Sequence, residues 1–107
     1  MMPLKIQQDY IYKGDDWWKW WIWIEGTGEE LNSIDYVIYK LHKTFPNPVR
    51  KISDRKTKFR LETGGWGVFR IYAKVYHKDK SESNLEHDLK LYYPDDDLRS
   101  GAKKRGV

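Results

Sequence analysis

Nearly every long segment of the chain alternates apolar and polar residues with a period of two, the pattern of half-buried β-strands. The first such run spans Lys5 to Lys13. The second, Trp18 to Glu25, places Trp18, Trp20, Ile22 and Ile24 on one face and Trp21 and Trp23 on the other. Gly26 to Asn32 then carries turn chemistry. Ile34 to Leu41 alternates again, with Ile34, Tyr36 and Ile38 set against Val37, Tyr39 and Leu41. Phe59 and Leu61 mark a short strand that ends at Gly64-Gly65. Phe69, Ile71, Ala73 and Val75 share a face opposite Arg70, Tyr72, Lys74 and Tyr76. Lys78 to Asn84 is a polar turn, and Leu85, Leu89 and Leu91 fall in a last strand. No window sustains a helical stripe. Short strands separated by Gly, Pro, Asn and Ser predict an all-β sandwich or barrel. Its expected core is Trp20, Ile22, Ile24, Ile34, Ile38, Phe59, Leu61, Ile71, Val75, Leu89 and Leu91.

Composition narrows the class. A chain of 107 residues fits one domain with a modest core. The boundaries are expected at residues 4–94, with a charged, flexible tail over 95–107 that runs from Asp95-Asp96-Asp97 to Lys103-Lys104-Arg105. Cysteine is absent, which excludes disulfides, thiolate metal sites and cysteine nucleophiles. There is no signal-peptide run, and no stretch approaches the roughly 18 apolar residues of a membrane span. The chain therefore reads as soluble and intracellular, cytoplasmic or, in a eukaryote, nuclear. A net charge of +4 is too mild to identify a polyanionic partner. The more informative figure is six tryptophans in so short a chain, since these rings serve both sandwich cores and ligand-binding walls.

Catalytic chemistry finds no purchase. His42, His77 and His87 have no metal-binding spacing, and the chain lacks both a G-x-S-x-G elbow and a G-x-x-x-x-G-K-S/T phosphate loop. Asp15-Asp16 and Glu29-Glu30 are adjacent on turn-like segments, where carboxylates are solvated. The reading is a non-enzyme with no cofactor and no metal. Arg70, Tyr72, Lys74 and Tyr76, with Lys56, Lys58 and Arg60, interleave bases and rings as single-strand nucleic-acid binders do. The same pattern is the ordinary outer face of an antiparallel sheet, so nucleic acid is the weaker reading. Two stretches remain, LHKTFPNP and GGWGVF. Pro46 and Pro48 stiffen the loop after Phe45 and are expected to deny strand pairing beyond it. Glycines flanking Trp66 allow unusual backbone angles and leave the indole either as the wall of a flat-ligand site or folded back as a core lid.

Together these two stretches resemble the YEATS domain family, which carries L-H-x-S/T-F/Y-x-x-P followed about twenty residues later by G-W/Y-x-x-F. The resemblance covers Trp20 to Leu91, and TFPNPVR looks closest to the prokaryotic YEATS-like (pYEATS) branch. It implies an immunoglobulin-like antiparallel β-sandwich whose end loops hold an acylated lysine, acetyl or crotonyl, between aromatic rings. By that resemblance Phe45 and Trp66 are the sandwiching rings. Thr44 accepts from the acyl amide N–H, and the Trp66 backbone N–H donates to the acyl carbonyl between Gly65 and Gly67. His42 lines the slot, and Phe69 closes it from behind. Lys43 and the extra Gly64 depart from the pattern, and a first-loop aromatic would fall to Trp17 or Trp18. The implied partner is an acylated-lysine peptide or protein. The competing reading keeps the sandwich as a protein-interaction module that binds an unmodified peptide or another small ligand.

Overall fold

The computed structural model describes residues 4–93 and the backbone of Lys103–Lys104. Among the described residues there are nine strands and two short helices: β1 (Lys5–Gly14), β2 (Trp17–Glu25), α1 (Gly28–Asn32), β3 (Ile34–Lys40), β4 (Val49–Ile52), a 3-10 turn (Arg55–Thr57), β5 (Leu61–Gly65), β6 (Gly67–Val68), β7 (Arg70–His77), β8 (Glu82–Asp88) and β9 (Lys103–Lys104). One antiparallel sheet has the order β1-β2-β5 and the other β4-β3-β7-β8. The remaining pair, β6 and β9, is parallel. Apart from β9, the expected 95–107 tail lies outside the described residues.

The inner faces of both sheets meet in one core that includes Ile6, Trp18, Trp20, Ile22, Ile24, Val37, Tyr39, Ile71 and Val75. The tryptophan-rich strand sorts as its alternation dictates. Trp18 and Trp20 are fully buried, while Trp21 lies under the Arg60 guanidinium and the Trp23 indole N–H donates to Glu25. Burying such rings contributes about 1.5–3 kcal/mol per large side chain relative to exposure.

Four expectations need correction. Ile38 is only partly buried, and the core residues of β3 are Ile34, Val37 and Tyr39. A β-bulge between Ile34 and Tyr36 adds a residue against β7, so the in–out parity flips along the strand. Gly26 to Asn32 holds a helix because Thr27 and Glu30 form a capping box. The Thr27 hydroxyl accepts from the Glu30 N–H at 3.1 Å, and the Glu30 carboxylate accepts from the Thr27 N–H at 2.7 Å. The prolines do not end strand pairing, since β4 starts at Val49 directly after Pro48. Proline lacks an N–H but keeps its carbonyl, and Pro48 accepts from the Leu41 N–H at 2.7 Å to close the loop. Finally, β8 begins at Glu82, within the span expected as turn, whereas Leu89 and Leu91 are buried beyond its end.

Candidate functional site

The β3–β4 loop builds one wall. Phe45 N–H donates to the His42 carbonyl at 3.0 Å, and Asn47 takes a left-handed φ of 51° that turns the chain back. Arg50 reaches from β4 to brace the tip, donating through Nη2 to the Pro46 carbonyl at 2.9 Å and through Nε to the Asn47 carbonyl. Inside this frame the Thr44 backbone N–H donates to His42 Nδ1 at 3.2 Å, so in the neutral ring that nitrogen is the bare one. The Thr44 hydroxyl stands 3.0 Å from the same nitrogen. It acts there as donor, which orients Oγ1 as an acceptor.

Phe45 is 7 % exposed. Its ring packs 5.3 Å from Phe69 and 6.2 Å from Trp20, and Phe69 in turn lies 6.0 Å from His42. Tilted and edge-on aromatic pairs of this kind contribute about 0.5–1.5 kcal/mol each beyond their buried area. Phe45 is thus both wall and core.

The second wall comes from β5 and β6. Trp66 interrupts the two strands and is 42 % exposed, between Gly65 and Gly67, both buried. The third comes from the β1–β2 turn. Asp15 and Asp16 occupy left-handed φ of 54° and 58°, the two-residue turn whose twist suits a hairpin. The Tyr12 hydroxyl accepts from the Asp16 N–H at 3.0 Å, and the Tyr93 hydroxyl donates to Asp16 Oδ1 at 2.7 Å. Trp17 follows at once and is 47 % exposed, whereas Trp18 is buried and its indole N–H donates to the Tyr92 carbonyl. Of the two first-loop candidates, Trp17 is the one at the site.

These walls enclose an open groove of about 350 Å³ lined by Trp17, Thr44, Phe45, Pro46, Arg50, Thr63, Gly64 and Trp66. Three of the seven residues singled out from sequence, Thr44, Phe45 and Trp66, line it directly. His42 and Phe69 stand behind them, and Gly65 and Gly67 shape the backbone around Trp66. The additional Gly64 has a physical role. A Cβ there would meet both Trp17 Nε1 and the Trp18 carbonyl at 3.0 Å, so a side chain at this position would press Trp17 away from β5. Sequence reading missed Arg50 and Thr63. Thr63 is placed by the β2–β5 register, which sets Trp18 against Gly65 and Trp20 against Thr63, and no local motif announces it. Among the described residues no group of three or more His, Cys, Asp or Glu could hold a metal ion, and no helix is long and apolar enough to cross a membrane.

The comparisons with known proteins agree with this architecture. A family model described as the prokaryotic YEATS domain matches residues 18–90. The AF-9 homolog of Eremothecium gossypii is 38 % identical over 86 residues, which cover 75 % of this chain and 40 % of the relative. Transcription initiation factor TFIID subunit 14 of Schizosaccharomyces pombe is 38 % identical over 87 residues, 75 % of this chain and 35 % of the relative. The chain thus spans well under half the length of these two curated relatives. Among solved structures, the Yaf9 YEATS domain bound to H3K27ac superposes with a TM-score of 0.65 at 29 % identity, over 84 % of this chain and 70 % of that one. The same domain recognising an H3K122suc peptide gives 0.62 at 32 % identity, over 82 % and 68 %. The two sheets are therefore those of an immunoglobulin-like β-sandwich, and the chain belongs to the YEATS domain family.

Proposed function

We propose that this chain is a non-catalytic binding module that holds an acylated lysine, acetyl or crotonyl, in the groove between the β3–β4 loop and Trp66. The observation that carries the reading is that Thr44 and Phe45 on the β3–β4 loop and Trp66 between β5 and β6 line a single open groove. Yaf9 structures with H3K27ac and H3K122suc peptides, at 29 % and 32 % identity, support the same ligand class. Acylation removes the lysine charge, so the neutral amide enters between rings without the desolvation cost of an ammonium. Its N–H meets the Thr44 hydroxyl, which the His42 contact orients as an acceptor, and its carbonyl meets the Trp66 backbone N–H. The acyl chain lies flat between Phe45 and the Trp66 indole, with Trp17 as an outer rim, and a planar crotonyl group gains from stacking there.

Trp66→Ala tests this cleanly. An exposed ring can be removed within about 0.5 kcal/mol of stability, whereas Phe45→Ala would cost about 3–5 kcal/mol and confound binding with unfolding. In an NMR titration, acetyl- and crotonyl-lysine peptides should give saturable shifts centred on Thr44, Phe45 and Trp66 that vanish in Trp66→Ala. Unmodified peptide should give none. Equal shifts with unmodified peptide would instead favour a general peptide-interaction module.

A further inference from the structure

Among the described residues Arg50 is the one ionised side chain lining the groove. Among the same residues it donates to two backbone carbonyls, those of Pro46 and Asn47, and no carboxylate lies within ion-pair distance of it. Carbonyls orient a guanidinium without neutralising it. Of the other described arginines, Arg60 and Arg70 meet Glu or Asp, and Arg55 donates to the Asn32 side-chain oxygen. The surrounding sequence does not restore the balance either. From Tyr36 to Ser53 there is no Asp or Glu, while Lys40, Lys43, Arg50 and Lys51 contribute four positive charges. This wall of the groove therefore carries a positive charge that no carboxylate among the described residues pairs with, focused at a planar fork with N–H donors beyond those used on the loop.

Resting on the acyl-lysine reading above, we infer that Arg50 is a specificity-determining residue that favours acyl chains ending in a carboxylate over neutral chains of the same length. The amide of such a ligand sits on Thr44 and Trp66 as for any acyl-lysine, and the terminal carboxylate extends toward the guanidinium as a charge-assisted hydrogen-bond partner. The same charge disfavours an unmodified ammonium in the groove, so one residue selects twice.

Succinyl- and butyryl-lysine have four-carbon acyl chains and differ in the terminal carboxylate, which makes them the discriminating pair. Calorimetric titration of otherwise identical peptides at about 50 mM salt should show succinyl-lysine bound on the order of five-fold more tightly than butyryl-lysine, with the gap closing as salt is raised. Arg50→Gln should abolish the gap, and Arg50→Lys, which keeps the charge, should retain part of it. Acetyl-lysine serves as the internal control, because Arg50 also braces the loop. If Arg50→Gln weakens acetyl-, butyryl- and succinyl-lysine by the same factor, Arg50 is only a brace and the inference is overturned. Equal affinity for butyryl and succinyl in the unaltered protein overturns it too, while leaving acyl-lysine binding intact. Failure of every acylated peptide to bind removes the reader function itself and this inference with it.

Discussion

At the scale of single residues, the site divides into side chains that can be altered without touching the fold and side chains that cannot. Thr44 belongs to the first group, being exposed and hydrogen-bonded within its own loop. Thr44→Val keeps the shape and removes the acceptor, so acyl-peptide affinity should fall about five-fold, roughly 1 kcal/mol, with the melting temperature unchanged. Peptide titration beside thermal unfolding checks both halves. Gly64→Ala should likewise weaken binding, because the new methyl displaces Trp17. Here the clash includes the Trp18 backbone oxygen, so a stability loss of about 1 kcal/mol should accompany it. The motif residues Thr44, Phe45 and Trp66 were legible in the sequence because each sits inside a short motif, LHKTFPNP or GGWGVF. Arg50 and Thr63 were not, because each matters only through what folding sets beside it.

At the scale of elements, the 3-10 turn and the entry to β5 depend on one buried hydroxyl. Lys58 and Phe59 both take left-handed φ, 60° and 61°, an uncommon conformation for residues with side chains. The Tyr39 hydroxyl donates to the Phe59 carbonyl at 2.8 Å and holds that backbone in place, and burial pushes the phenol well above its ordinary ionisation range. Tyr39→Phe leaves this carbonyl without its donor and should cost about 1–3 kcal/mol in urea unfolding. Two alternations mislead at this scale. Tyr36 and Ile38 follow a strict period of two with Ile34, but the bulge against β7 inverts it. The prolines interrupt a pattern that resumes at Val49, since pairing with β3 needs only the carbonyl of Pro48 and the N–H groups after it.

At the scale of the whole molecule, one glutamine joins the edge of one sheet to the chain leaving the other. Gln8 on β1 accepts from the Lys90 N–H at 2.8 Å and donates to the Lys90 carbonyl at 2.7 Å, and its oxygen also receives His87 Nε2 at 2.7 Å. Burial holds the His87 imidazole below its ordinary value of 6.5. The unfolded chain therefore takes up this proton more readily than the folded one, and stability must fall as pH drops through 6.5 toward the depressed folded value. Asp88, held below 3.8 by the Arg70 guanidinium, loses its contribution only in a separate, more acidic window. Urea midpoints measured from pH 8 to 5 should decline, and His87→Gln should flatten that decline.

Taken together, the amino-acid sequence by itself determined the long alternating runs of β1, β2, β3 and β7, the tryptophan face of β2 and the two motif loops. Each rests on alternation, turn chemistry or spacing within a few residues, and such signals survive without knowledge of neighbours. The tertiary structure alone decided which first-turn ring borders the groove, what a side chain at Gly64 would press against, and that an arginine bonded to carbonyls lines the groove. Those outcomes depend on strand register, on a bulge and on the distance between charges, quantities that exist only once two sheets have packed against each other.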